Sequence, residues 1–596
     1  VILQALNEHY LRLLDDKESG VAMPGYSPAK VTHAIILSPE GDFLDVLSVA
    51  TQQGKRSLPS IMMVPEQQMS RTSGITANIL CDNVSYVLGI ERDKQGTPQI
   101  AAKKYLDFKT KNGDFLRGLK GNASTTVRKF LDKWTPDLTF PVLASFLDSL
   151  LDGRNLVFKL DGENGYVHED AEIMAAWDKS RTGDACETMG QCLILGRELP
   201  IARIHPSVKG VYGAQSSGAA LVSFNVDSFT SYGKSQSYNA PVSTQAAFAY
   251  GTALNYLITS DTNRIRLADT TMVFWADKKG GRQEETVLAW CLDPVDTTEK
   301  EDEEKRRIDL SAARQAKTIL ERAKSGLPSG DGAFDPDTRC YMLGLAPNAA
   351  RLSVRFWQVS SFGDVLTKIA QHYADMDIAG MERIGGIVSP WRTLKTIAVQ
   401  EDAKNVPPLL GGQFLKAILS GQMYPQSLYN AALVRSRTGG DHGGVNTVRA
   451  AVVKAFLLRK YRLCNQPEKE ASVTVSLNES NTNNAYLLGR LFSLMEKVQK
   501  DALGGNINAT ISDRYFGAAS ATPAAVFPLL LRLSRHHVAK SEYGKRSDRK
   551  IQEVMNGLDK FPTHLNLEGQ GQFILGYYHQ NQANYAKSEI REEKEG

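Results

Sequence analysis

Residues 212–239 suit neither a protein interior nor an ordinary protein surface. They read YGAQSSGAALVSFNVDSFTSYGKSQSYN, and Asp227 and Lys234 are the only charges. Ser, Asn and Gln at this density would each need a hydrogen-bond partner once buried, so the stretch is not core. A solvated surface of this length would carry more charge. What fits is backbone and amide surface turned toward a large polar partner. Nucleic acid is such a partner, because phosphates and sugars accept bonds from amides, hydroxyls and backbone N–H groups. Gln215, Ser216, Ser217, Asn225 and Lys234 are the candidate contacts. The alternative is a Gly/Ser-rich loop threaded between strands.

The chain has 596 residues, more than one hydrophobic core sustains, so about three domains are expected, or about four by length alone. A hydrophobic share of 42% with 23% charged residues marks a folded chain rather than a disordered one. Net charge is +4, which excludes a basic sheath around DNA and leaves only local patches for phosphate. Cys81, Cys186, Cys192, Cys291, Cys340 and Cys464 are scattered, which is no disulfide framework and suits a reducing compartment. No apolar run approaches the roughly eighteen residues of a membrane span. The opening VILQALNEHYLRLLDDK is an amphipathic helix without a signal peptide's basic flank and apolar core, so a cytoplasmic location is expected.

Hydrophobic periodicity predicts an α+β protein: a large mixed N-terminal domain, a mostly helical region, then a C-terminal helical bundle. HAIILSPEGDFLDVLSV reads as two strands around a Pro-Glu-Gly-Asp turn, and NLVFKLDG as another strand. The charge-dense TTEKEDEEKRR lacks apolar anchors and marks a linker. Boundaries are therefore placed at 1–306, 307–471 and 472–596. In the middle region Leu352, Val354 and Phe356 alternate with Arg351, Ser353 and Arg355, a half-buried strand. VNTVRAAVVKAFLLRKY has helical spacing in the middle region, and AYLLGRLFSLMEKVQKDAL and AAVFPLLLRLSRHHVAKSE are the strongest helix signals of the final part. No fixed-period repeat is visible.

Enzyme signatures are absent. There is no HExxH and no G-x-S-x-G, and the GKS at 233–235 has Ser228 where a phosphate-binding loop needs glycine. Cys186, Cys192 and His205 form the only metal-like cluster, but the gap between the cysteines is wide and no fourth ligand stands out. No catalytic residue, resident metal or cofactor is assigned.

Basic patches are the positive signal. Residues 103–133 hold nine Lys or Arg against three Asp, with Lys103, Lys104, Lys109 and Lys111 foremost. Arg449, Lys454, Arg459, Lys460 and Arg462 form a second group, and Arg532, Arg535 and Lys540 a third on the last strong helix. Solvated helix faces explain any one of these; together with the amide-rich stretch they suggest a phosphate track. RTSGITAN, residues 71–78, is a small polar loop able to enter a groove, with Arg71 as phosphate clamp and Thr72, Ser73, Gly74 and Asn78 toward the bases. The plain reading of that loop is a turn into the next strand.

RTSGITANILCDNVSYVLG, IARIHPSVKGVYGAQSSGAALVSFNVDSFTSYGKSQSYNAPVSTQAAFAYGTALNYLI, TMVFWAD and AYLLGRLFSLMEKVQ together resemble the large subunit of the type I-C CRISPR surveillance complex, Cascade. The resemblance runs over essentially the whole chain. It implies a binding subunit with no established active site, acting on target double-stranded DNA beside a guide RNA. It implies repeated backbone subunits, a subunit holding the guide's 5′ handle, and a recruited helicase-nuclease as partners. The subunit would read the short motif flanking the target and help open the duplex, while guide pairing reads the rest. The amide-rich residues would meet the guide handle or the DNA. It further implies small subunits made from an internal start in the same gene, here near Val473 or Val475. Two other classes stay open at this point: a nucleic-acid hydrolase, and a protein scaffold without DNA contact.

Overall fold

The computed structural model describes residues 1–16, 19–53, 56–67, 74–182, 188–278, 281–294, 317–322, 335–438, 443–504 and 509–595. The chain forms two compact units that do not follow chain order. One comprises 1–206 and 222–254; the other comprises 207–221 and 255–596. The expected α+β class holds, with a mixed-sheet region first and helices after it. The expected boundary at 306 falls outside the described residues, and 255–294 belong with the helical unit.

The first unit is organised by the strand Tyr26–Leu37. Its second half pairs antiparallel with Phe43–Ser48 across the Pro-Glu-Gly-Asp turn, as the sequence suggests. Its first half pairs with Ser60–Pro65, and Asn155–Leu160 runs parallel beside it. Val31, Ala34, Ile35 and Leu37 are fully buried, so this strand is closed on both faces. The helix Ala102–Leu116 forms because Tyr105, Phe108, Asn112 and Leu116 repeat at three- and four-residue spacing and bury one stripe. Phe108 and Phe130, the latter from Asn122–Lys133, meet Phe158 of the sheet with ring centroids 6.3 and 5.6 Å apart.

The second unit holds a six-stranded sheet in the order Ser207–Val208, Ala219–Ala220, Arg351–Ser361, Arg339–Asn348, Thr270–Ala276, Arg264–Leu267. The alternation read at Leu352, Val354 and Phe356 does not persist along the strand. Gly344 pairs with Phe356 and Leu345 with Val354, so Arg355 is an extra residue in a bulge. The bulge moves Phe356 to the face opposite Leu352 and Val354. Phe356 joins Met272, Phe274 and Met342 in the core shared with the following helices, and Val354 is exposed.

Helices complete this unit. Asn446 caps Thr447–Leu463 by accepting the Arg449 N–H at 2.9 Å, and the helix is buried nearly all round. Asn484–Leu503 and Leu567–Glu595 cross at unusually close range. A Cβ on Gly489 would lie 2.0 Å from the Phe573 carbonyl oxygen, and one on Gly576 would lie 2.0 Å from that of Tyr486. Each helix thus presents hydrogen where the other presents backbone. The helices after residue 472 share their core with those before it: Tyr429 stacks on Phe456 and its hydroxyl donates to the Leu567 carbonyl at 2.8 Å.

The crossing predicts a paired outcome. Gly576→Ala should lower stability by about 1–3 kcal/mol or more through overpacking. Gly113→Ala, where an added Cβ meets nothing within 4 Å in the Ala102–Leu116 helix, should be neutral or stabilise by roughly 0.5–1 kcal/mol. Urea midpoints of the two variants check this.

Acid should weaken the fold. Burial pushes the His579 imidazole, near Lys454, down to about 4, and burial pushes His168 down to about 4 against the opposing pull of Glu169. Below the ordinary value of 6.5 the unfolded chain takes up protons that the fold refuses. Their support is complete above about 6.5 and declines as pH falls toward 4, by roughly 2 kcal/mol per site at pH 5. Urea midpoints from pH 7.5 to 5 should fall, and His579→Gln should flatten the slope.

Candidate nucleic-acid interface

The amide-rich stretch is divided between the units: 212–221 belong to the second, and 222–239 to the first, where 225–235 form an exposed loop. Residues 225–235 are exposed without interruption. A hairpin closes at Ser231 and Lys234, whose N–H donates to the Ser231 carbonyl at 3.0 Å. Tyr232 (φ 51°) and Gly233 (φ 66°) occupy the left-handed region, as a two-residue turn of primed type requires. Asn239 braces the loop from below. Its Oδ1 accepts the Ser231 N–H at 2.8 Å, and its Nδ2 donates to the Lys234 and Gln236 carbonyls, each at 2.8 Å. Gln236 is also left-handed (φ 47°), and its Oε1 accepts from Arg203 Nε at 2.9 Å. Asn225 and Lys234 are therefore surface residues on a loop of defined shape.

In the second unit Gln215, Ser216 and Ser217 are exposed between the short strands Ser207–Val208 and Ala219–Ala220. The Arg266 guanidinium, from the edge strand Arg264–Leu267, lies over the Tyr212 ring beside them. Arg266 is fifty-four positions from Tyr212 in sequence, and no local pattern announces it.

Of the 71–78 loop, Arg71, Thr72 and Ser73 lie outside the described residues. Gly74 is exposed with φ 104°. Asn78 is buried, and its Nδ2 donates to Gln67 Oε1 at 2.6 Å, which ties the neck of the loop. Its carbonyl accepts from Asn112 Nδ2 at 3.0 Å. A base-reading role for Asn78 would require breaking that neck. The helix Ala102–Leu116 secures the loop further: Asp107 accepts the Ala77 N–H at 2.6 Å, Asn112 the Leu80 N–H at 2.8 Å.

The basic groups divide sharply. Lys103 is exposed and Lys109 half-buried, whereas Lys104 pairs with Glu91 at 2.5 Å and Lys111 donates to the Ala77 carbonyl at 2.6 Å. In the second group Arg449, Lys454 and Arg459 are interior, and Lys460 and Arg462 are half-buried in ion pairs. Arg449 is 1% exposed and bonds the Thr396 and Gly444 carbonyls and Glu401 at 3.1, 2.8 and 2.8 Å. Lys454, equally buried, donates to the Asp375 carbonyl at 3.0 Å. Arg459 reaches the Ala417 carbonyl at 2.9 Å and the Asp375 carboxylate at 3.4 Å, with its guanidinium 3.8 Å from the Tyr424 ring centroid. Arg462 bonds Asp375 at 2.9 Å and Glu470 at 2.8 Å, and Lys460 pairs with Glu568 at 2.6 Å. The missed signal is that Thr447–Leu463 carries apolar residues on every side. A helix without a polar face is buried, so its cations need partners from inside the protein. The third group is different: Arg532, Arg535 and Lys540 are exposed on Pro523–Lys540, with Lys545, Arg546 and Arg549 exposed on the next helix.

Cys186 lies outside the described residues, and among those described no three His, Cys, Asp or Glu groups assemble as a metal site. Burial pushes the Cys192 thiol up, but hydrogen bonds from Ser243 and from the Leu195 and Ile194 N–H groups outweigh it and leave it below an ordinary thiol. Burial pushes His205 down to about 4, so it is neutral, with Nδ1 2.6 Å from the Tyr250 hydroxyl.

Against known proteins, the family described as CRISPR-associated protein (Cas_Csd1) matches residues 6–585. No curated protein matches the chain.

Charge removal separates the two kinds of cation. Arg459→Met should destabilise the protein by about 3–5 kcal/mol, because it leaves buried Asp375 underpaired. It should leave the salt slope of nucleic-acid binding unchanged. Arg532→Gln and Arg535→Gln should each lower that slope by about one unit for every phosphate contact removed, with stability intact. Denaturant midpoints and binding titrations over a salt series check both.

Proposed function

The chain belongs to the Cas_Csd1 family of CRISPR-associated proteins, the large subunit of type I-C Cascade, and from that premise we propose how its surfaces are used. The braced 225–235 loop and the 215–217 loop meet nucleic acid, either the duplex that flanks the target or the 5′ handle of the guide RNA. The 71–78 loop faces the flanking duplex. The exposed cations of Pro523–Lys540 and the following helix run along the phosphates of an opened strand.

The observation that carries this reading is the 225–235 loop. It is fully exposed, contains one acid, Asp227, and is braced at Ser231 and Lys234 by Asn239. Rigidity matters because hydrogen-bond readout tolerates little positional error, and a preordered loop loses little entropy on binding. Hydroxyls, amides and N–H groups with a single carboxylate among them suit a polyanion.

On this reading the chain contributes recognition and duplex opening, and cutting falls to a recruited helicase-nuclease. The other partners are the guide RNA, target double-stranded DNA, the repeated backbone subunits, the guide-handle subunit, and small subunits from an internal start. A reducing, cytoplasmic setting suits the free thiols of Cys81, Cys192, Cys291, Cys340 and Cys464.

The test is binding of the assembled complex to target duplexes with correct and incorrect flanks. Gln215→Ala and Lys234→Ala should weaken binding. A reader of bases loses about 1–3 kcal/mol of discrimination per bidentate contact, whereas a phosphate contact weakens both duplexes alike. Wild-type affinity and discrimination in every loop variant, with guide RNA retained, would refute the assignment.

A further inference from the structure

Tyr232 stands at the tip of the 231–234 hairpin with 98% of its surface exposed, the highest value among the described large apolar side chains. Two features make this position costly without a partner. A bulky aromatic ring is held wholly in water, and a non-glycine residue is held at φ 51°. Asn or Gly would make the same turn without strain or exposed ring. The turn is also fixed from below by Asn239 and, through Gln236, by Arg203. The backbone that carries the ring is therefore preordered, and a partner would meet the ring at a defined place on the loop.

We propose that Tyr232 is a stacking platform that takes the face of an unpaired nucleobase. This rests on the reading of the loop as a nucleic-acid surface and adds the ligand's chemistry. The residues on either side of the ring point to a base rather than a protein pocket. Thr230, Ser231, Lys234 and Ser235 give hydroxyls and one ammonium, which can meet sugar and phosphate flanking a stacked base. A protein partner gripping an aromatic anchor would instead bury an apolar rim around it, and the loop's other exposed apolar side chains, Val226 and Phe229, stand three or more positions before the ring. A ring presented on a narrow turn reaches a base face only where the base is unstacked, so the ligand is single-stranded or at the end of a duplex. Two sources supply that chemistry, the guide RNA and the target DNA.

The experiment uses the assembled complex with 2-aminopurine placed in turn in the single-stranded 5′ segment of the guide and at the target flank. The variants are Tyr232→Phe, which keeps the ring, and Tyr232→Asn, which keeps the turn and removes the ring. Wild type and Tyr232→Phe should quench the probe at one location, and Tyr232→Asn should restore its emission and weaken binding of that strand by roughly ten-fold. Restoration in the guide alone assigns the base to RNA, and at the flank alone to DNA; either supports the proposal. Unchanged emission at both locations overturns it, as does a loss in Tyr232→Phe equal to that in Tyr232→Asn. Loss of a protein subunit from the Tyr232→Asn complex with emission unchanged overturns it in favour of a protein contact. If Tyr232→Asn is silent while Lys234→Ala weakens binding, stacking is wrong and the loop's role stands. If both are silent, the loop's role falls with it.

Discussion

Asp375 is a carboxylate 1% exposed to water, and three cations of the Thr447–Leu463 helix converge on its residue. Arg459 and Arg462 reach its oxygens and Lys454 takes its carbonyl. A lone buried charge would be untenable, and so would each buried arginine; together they satisfy one another, with Tyr424 stacked on Arg459. The arrangement fixes Phe362–Met376, which carries the acid near its end, against the helix that carries the bases. Arg449 repeats the device at the other end, bonding Glu401 and two carbonyls. Hydrophobic burial brings these helices together without direction; the ion network sets their register.

The loops proposed to meet nucleic acid are held largely by side chains that bond their backbone groups, amides prominent among them. Asn239 makes three bonds under the 231–236 turn, Asn112 and Asp107 hold the end of the 71–78 loop, and Asn78 with Gln67 ties its neck. An amide braces a backbone turn by donating and accepting at once. It does so without adding negative charge, which a surface facing phosphate must avoid. The same residue type thus serves as brace within the fold and as contact outside it, and composition alone does not tell the two apart.

That ambiguity marks how far the sequence could be read. Class, major helices and the strand pair around the Pro-Glu-Gly-Asp turn follow from periodicity, a local property that packing reinforces. The 225–235 loop was legible because its composition suits neither core nor common surface. Asn78 was not, because whether an amide ties a neck or reads a base depends on Gln67, eleven positions away. The Arg449–Arg462 group misled for the same reason. Its partners Asp375, Glu401 and Glu568 come from distant helices or turns, and a cation whose acid is remote looks free in one dimension. The bulge at Arg355 is likewise invisible to a two-residue period.

The glycine crossing of Asn484–Leu503 and Leu567–Glu595 has a topological meaning. Both sides of the lock lie after residue 472, so a separately translated tail would carry key and keyhole together. What it would lack is the ground it stands on here, where Tyr429 holds Leu567 and Lys460 holds Glu568. Here that ground is taken by the chain's own tail. Extra copies of the tail could not settle on the same footing, and would have to line up by another face.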